Sequence, residues 1–143
     1  MSKRSPIKRI VKSELGIAEV WNRFLSPDPF PGNLFIENGA TYVCTPLGSG
    51  RMGGYRFEYG KNNSKWLILR HSKLDLENWI MIYELVDIKE SALSKLEIEI
   101  KLSLTEGGTQ VIVTLHPKLT LGFSIMKFSQ NRKLRKRLAS LNF

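Results

Sequence analysis

The chain has 143 residues, of which 42% are hydrophobic and 24% charged, and a net charge of +9. That length suits one domain, read here as residues 1–143 with 1–5 as a disordered basic tail, and the mix is that of a globular chain rather than a disordered one. No stretch reaches the roughly 18 apolar residues of a membrane-spanning helix; the run Trp79–Tyr83 is stopped by Glu84, and the N-terminus leads into Pro6 without the apolar segment of a secretory signal.

Residues 6–14 read as a first strand, half-exposed because Lys8, Arg9 and Lys12 interrupt its apolar residues. Ile17, Val20, Trp21 and Phe24 then fall at i, i+3, i+4 and i+7, the period of a helix. Glu19, three residues after Gly16, makes a weak N-terminal cap. Pro27, Pro29 and Pro31 forbid the helix to continue. From about residue 40 the pattern is that of strands. Cys44 lies in the first of these, with no histidine nearby, and reads as a buried structural thiol. As the sole cysteine it excludes an internal disulfide and a multi-cysteine zinc site, and a reducing cytoplasm is the expected compartment.

Tyr55, Phe57 and Tyr59 alternate with Arg56 and Glu58. Residues 66–70 and 79–86 are apolar on both parities, so both faces of these strands are expected to be covered. The clearest strand is 95–104, where Leu96, Ile98, Ile100, Leu102 and Leu104 alternate strictly with polar residues. Its apolar parity makes Ile98 and Ile100 core. Glu106–Gly108 turns the chain, Val111, Val113 and Leu115 run back, and Pro117 is expected to close that strand. Residues 121–142 form the last helix candidate. The order is strand, short helix, long antiparallel meander, helix, an α+β pattern in which a sheet of six or seven strands needs one face covered.

At this point the chain resembles the START-like, or helix-grip, superfamily of pollen allergens, polyketide cyclases and lipid-transfer domains. The resemblance rests on the Leu15–Trp21 strand-to-helix passage, on the last hairpin with its Gly107, Gly108 and Thr109 restart, and on a closing helix ending in Leu134, Leu138 and Leu141. It implies a curved antiparallel sheet wrapped around a C-terminal helix, with a cavity between them for an apolar ligand. It does not imply one function.

Gly48–Gly53 matches G-x-G-x-x-G, but a strand follows it where a dinucleotide site needs a helix. It reads as a glycine-rich turn between strands. His71 and His116 lie at strand ends without a ligand motif, so neither a metal nor another cofactor is expected. Asp75 and Glu77 stand near His71 as a possible acid–base group, although a polar turn accounts for them as well. Tyr55, Phe57, Trp66, Trp79 and Tyr83, aromatic residues of the strands, are the candidate cavity wall.

At about 100° per residue, Leu134, Leu138 and Leu141 share one face of the last helix, and Phe123 aligns with them. Arg132, Lys133, Arg135 and Lys136 fill the rest of the circle, with Arg137 at the edge. Leu121, Ile125 and Phe128 fall on the opposite side, and Lys127 and Gln130 occupy the leucine stripe. Either the helix bends or starts near Ser129, or its first half is buried all round with Lys127 and Gln130 turned into the cavity. Snorkelling of both to water is the alternative.

The two ends, 1–13 and 121–143, hold 11 of the 22 basic residues and none of the 13 acids, which leaves the body at −2. The arc of Arg132, Lys133, Lys136 and Arg137 is therefore a candidate anion-binding surface, for a membrane or for nucleic acid, or simply a solvated face. The leading function is non-catalytic binding of a small apolar or amphipathic ligand. A cyclase- or dehydratase-like enzyme using the same cavity is the second reading, and an interaction module docking through its basic ends the third. Nothing in the sequence sets the oligomeric state.

Overall fold

The computed structural model describes residues 6–25, 32, 34–36, 40–47, 54–89, 93–119 and 127–140; at 93, 94, 118, 119, 127–131, 133 and 140 it describes the backbone alone. The described strands are β1 (Ile7–Ser13), β2 (Tyr42–Leu47), β3 (Gly54–Tyr59), β4 (Lys65–Asp75), β5 (Ile80–Ile88), β6 (Leu93–Thr105) and β7 (Gly108–Leu119), and the helices are α1 (Ile17–Leu25) and α2 (Lys127–Ser140). The strands make one seven-stranded antiparallel sheet in the order β1-β7-β6-β5-β4-β3-β2. After β1, which crosses to the far edge, every strand lies beside its neighbour in sequence.

Alternation decides which face is inner. Leu96, Ile98, Ile100 and Leu102 on β6 are buried, and so are Val111, Val113 and Leu115 on β7, opposite Leu102, Ile100 and Ile98. Met81, Tyr83 and Leu85 on β5 and Leu67, Leu69 and His71 on β4 extend the same face. Ile98 and Ile100 are fully buried, as their parity predicts. The polar residues between them turn to the outer face.

The hairpin turn needs two glycines for two reasons. Gly107 sits at φ +85°, where a side chain is strained. A Cβ on Gly108 would lie 2.0 Å from the carbonyl oxygen of Ser13, so only glycine lets the end of β1 approach. Thr109 then donates its hydroxyl to the carbonyl of Leu15 at 2.8 Å, pinning the β1–α1 corner to the start of β7. α1 buries Val20, Trp21 and Phe24, three of the four positions with helical spacing.

α2 supplies Leu134 and Leu138, both buried, to the same core as the inner face. Its last turn leaves carbonyls without helical partners. Arg9, on the inner parity of β1, donates its guanidinium to the carbonyl of Leu138, so a cation meets the negative end of the helix and ties it to an edge strand.

Two expectations need correction. Pro117 does not end β7, which runs on to Leu119 with Pro117 opposite Leu96. Among the described residues β7 has by then passed the end of β1, so the proline stands where sheets accept a missing N–H. Trp79 is not a strand residue: it ends the turn 76–79 at φ +55° and packs edge to face on Trp21 of α1, with ring centroids 5.6 Å apart. The described part of the last helix is Lys127–Ser140; Leu121, Phe123 and Ile125 lie outside the described residues, as does Gly48–Gly53.

Candidate functional site

β4 and β5 carry two irregularities. Leu85 pairs with Leu69 but Asp87 pairs with Ile68, so Val86 is an extra residue on β5; Tyr83 pairs with His71 but Ile82 pairs with Lys73, so Ser72 is extra on β4. Bulges bend a sheet and re-aim side chains. Between these two, a short stretch of regular pairing carries Leu69, His71, Tyr83 and Leu85 on the inner face.

His71 and Tyr83 are directly opposed, with ring centroids 4.2 Å apart. Tyr55, one strand further along β3, sets its ring edge to face with His71 at 5.5 Å. His71 is 2% exposed and Tyr83 is wholly buried. Neither His71 Nδ1 nor the Tyr83 hydroxyl has a hydrogen-bond partner among the described residues. Loss of water around the imidazole pulls the His71 pKa down to about 4, so it is neutral at neutral pH. Burial pushes the hydroxyls of Tyr83 and Tyr55 up; the adjacent Tyr55 adds to the first and Cys44 to the second. The centre of the inner face is therefore a neutral polar patch in apolar surroundings, with one group able to donate and one nitrogen unpaired.

The predicted cavity residues divide. Tyr55 and Tyr83 meet at His71. Phe57 shares their face and is buried, but its ring is covered: Gly32 lies against it so closely that a Cβ there would stand 2.6 Å from the ring, and Tyr42 tilts over it at 5.9 Å. Trp66 departs from expectation, because it has the opposite parity to Leu67 and Leu69 and lies on the outer face under the Arg56 guanidinium, 4.9 Å from the ring centroid. Trp79 belongs to the α1 contact. Lys127 and Gln130 lie in the first turn of α2, and nothing is described of their side chains.

His71 was the residue to find; it follows Leu67 and Leu69 at intervals of two, but residues 66–70 are apolar on both parities, so spacing alone did not put it on the inner face. Asp75 does not join it. Its carboxylate accepts from the backbone N–H (3.1 Å) and side-chain amide (2.9 Å) of Asn78, which hold its pKa below the usual carboxylate value. It is the polar turn that the sequence also allowed. Cys44 is half-buried on β2, on the same face as Phe57.

On the basic helix, Arg132, Arg135 and Lys136 are exposed and Arg137 is half-buried, while the side chain of Lys133 is not described. A concavity of about 340 Å³ opens where β5 leaves β6 beyond the Glu84–Glu97 pair, and is lined by Arg70, Glu84, Val86, Lys95, Glu97 and His116 among others. There Arg70 and Glu84 already satisfy one another at 2.7 Å. Among the described residues, no three His, Cys, Asp or Glu side chains are placed to hold a metal ion, and no helix is long and apolar enough to cross a membrane.

No protein-family model matches the chain, and no curated protein matches it by sequence. Solved structures do. TTHA0849 from Thermus thermophilus superposes with a TM-score of 0.68 at 11% identity, over 94% of this chain and 89% of that one. Ara h 8.0201 gives 0.64 at 11%, over 96% and 99%. Norcoclaurine synthase from Thalictrum flavum gives 0.64 at 10%, over 96% and 87%. With its seven-stranded antiparallel sheet, short helix after β1 and closing helix buried through Leu134 and Leu138, the chain has the START-like, helix-grip fold.

Proposed function

We propose that the protein binds a small apolar or amphipathic ligand between the inner face of the sheet and α2, without transforming it. The observation that carries this reading is the pair of buried polar atoms on His71 and Tyr83 that have no partner among the described residues. A buried polar group without a partner costs about 1–3 kcal/mol, and native proteins keep few of them. A bound molecule that meets both removes the cost. The helix-grip fold supports the same reading, since its members enclose a cavity at this place. The cytoplasm remains the compartment that suits a chain with one cysteine.

An enzymatic reading draws on one further observation: His71 is held as the free base beside two phenols, a combination able to move a proton. One structural neighbour is named a synthase. Docking of α2 on an anionic membrane or nucleic acid is supported only by its exposed arginines and lysine.

Titration with the neutral probe N-phenyl-1-naphthylamine separates these. Cavity binding gives a saturable 1:1 fluorescence increase that is insensitive to salt and lost when Leu85 is replaced by Trp to fill the space. Absence of the increase, or its removal by salt as for a surface site, overturns the proposal.

A further inference from the structure

Resting on that binding reading, we propose that the ligand is a neutral apolar molecule bearing a hydroxyl group, seated with its oxygen between His71 and Tyr83. Each alternative chemistry leaves a cost that the hydroxyl does not. A hydrocarbon leaves both the His71 Nδ1 and the Tyr83 hydroxyl buried and unpaired. An anion brings a charge to a place where the converging groups, Tyr55, His71 and Tyr83, include no cation; Arg9, on the same face of the sheet, is turned to the carbonyl of Leu138. A cation meets no carboxylate among those three groups. A ketone or ether accepts from Tyr83 but has no proton for Nδ1 in the tautomer protonated at Nε2.

A hydroxyl does both. It donates to the Nδ1 lone pair of the tautomer protonated at Nε2 and accepts from the phenol. The directly opposed pairing of His71 with Tyr83, with ring centroids 4.2 Å apart, puts the two groups side by side on one face. The bulges at Ser72 and Val86 on either side fix how far these side chains are turned. The two residues have separate tasks: His71 reads the proton of the ligand and Tyr83 reads its oxygen.

Calorimetric titration at neutral pH with 2-naphthol, 2-methoxynaphthalene and 2-naphthoate tests this on the wild type, His71→Phe and Tyr83→Phe, with His71→Leu as the substitute should the first variant fail to fold. In the wild type 2-naphthol binds about tenfold more tightly than 2-methoxynaphthalene, the scale of one hydrogen bond, and 2-naphthoate binds weakest. Removing His71 abolishes the preference and leaves 2-methoxynaphthalene binding. Removing the Tyr83 hydroxyl weakens both neutral ligands together and keeps their ratio. Equal wild-type binding of naphthol and its methyl ether overturns the hydroxyl assignment and leaves the cavity reading intact. Tightest binding of the naphthoate overturns it in favour of an anion site. Binding of none of the three takes down the cavity reading as well.

Discussion

His71 and Tyr83 make opposite demands on stability and binding. The Tyr83 hydroxyl is buried without a partner among the described residues, so Tyr83→Phe deletes a cost and little else. The empty protein is expected to gain about 1 kcal/mol in urea unfolding, and a loss of that size would show that the hydroxyl has a partner. His71 gives a pH signature. Its folded pKa, about 4, lies below the ordinary 6.5, so the unfolded chain takes up the proton first. Its contribution is whole above pH 6.5, is lost as pH falls towards 4, and amounts to an order of 3 kcal/mol. Carboxylates titrate in the lower part of that window, so the comparison is with His71→Phe, whose stability should stay flatter between pH 6.5 and 5. Parallel curves for the two proteins would place His71 in water. At this scale Tyr55 was legible from strand alternation, while Tyr83 lies in a segment apolar on both parities. Trp66 was misplaced because its segment is apolar on both parities, and such a segment does not say which face is inner.

The elements differ in how plainly the chain encodes them. The β6–β7 hairpin is written twice, by strict alternation and by Gly107 and Gly108 at its turn, and both of its ends run longer than the alternation alone implied. Truncating Ile98 or Ile100 to Ala should cost about 2–5 kcal/mol, and a loss under about 0.5 kcal/mol would put the residue on the outer face. The bulges at Ser72 and Val86 have no comparable signature. They arise from how β4 is fitted to β5, and no residue type announces them, so the polar patch between them was not legible as a site. On α2, Leu134 and Leu138 are buried and Arg132, Arg135 and Lys136 exposed. Replacing the three cations with Gln should change the melting temperature little, while Leu134→Ser with Leu138→Ser should unfold the domain at ambient temperature or nearly so. The reverse result would make the charges structural. Leu141, the third residue of the stripe, lies outside the described residues.

For the whole molecule, the basic excess and the core are separate. The body carries a net charge of −2 and the two ends carry the rest, while the inner faces of the strands, α1 and α2 share one hydrophobic cluster. One cluster argues for one cooperative unit, so hydrogen exchange should find the amides of residues 96–102 and 111–115 among the slowest and no segment of the sheet exchanging independently. The central claim is that this interior receives a ligand at His71 and Tyr83, and imidazole nitrogen resonances followed by long-range proton–nitrogen correlation during a 2-naphthol titration test it most directly. His116, exposed on the outer face, is the internal control. A saturable shift of the His71 Nδ1 resonance while His116 stays fixed is the predicted result, and a His71 imidazole that does not move, or moves only as His116 does, contradicts it.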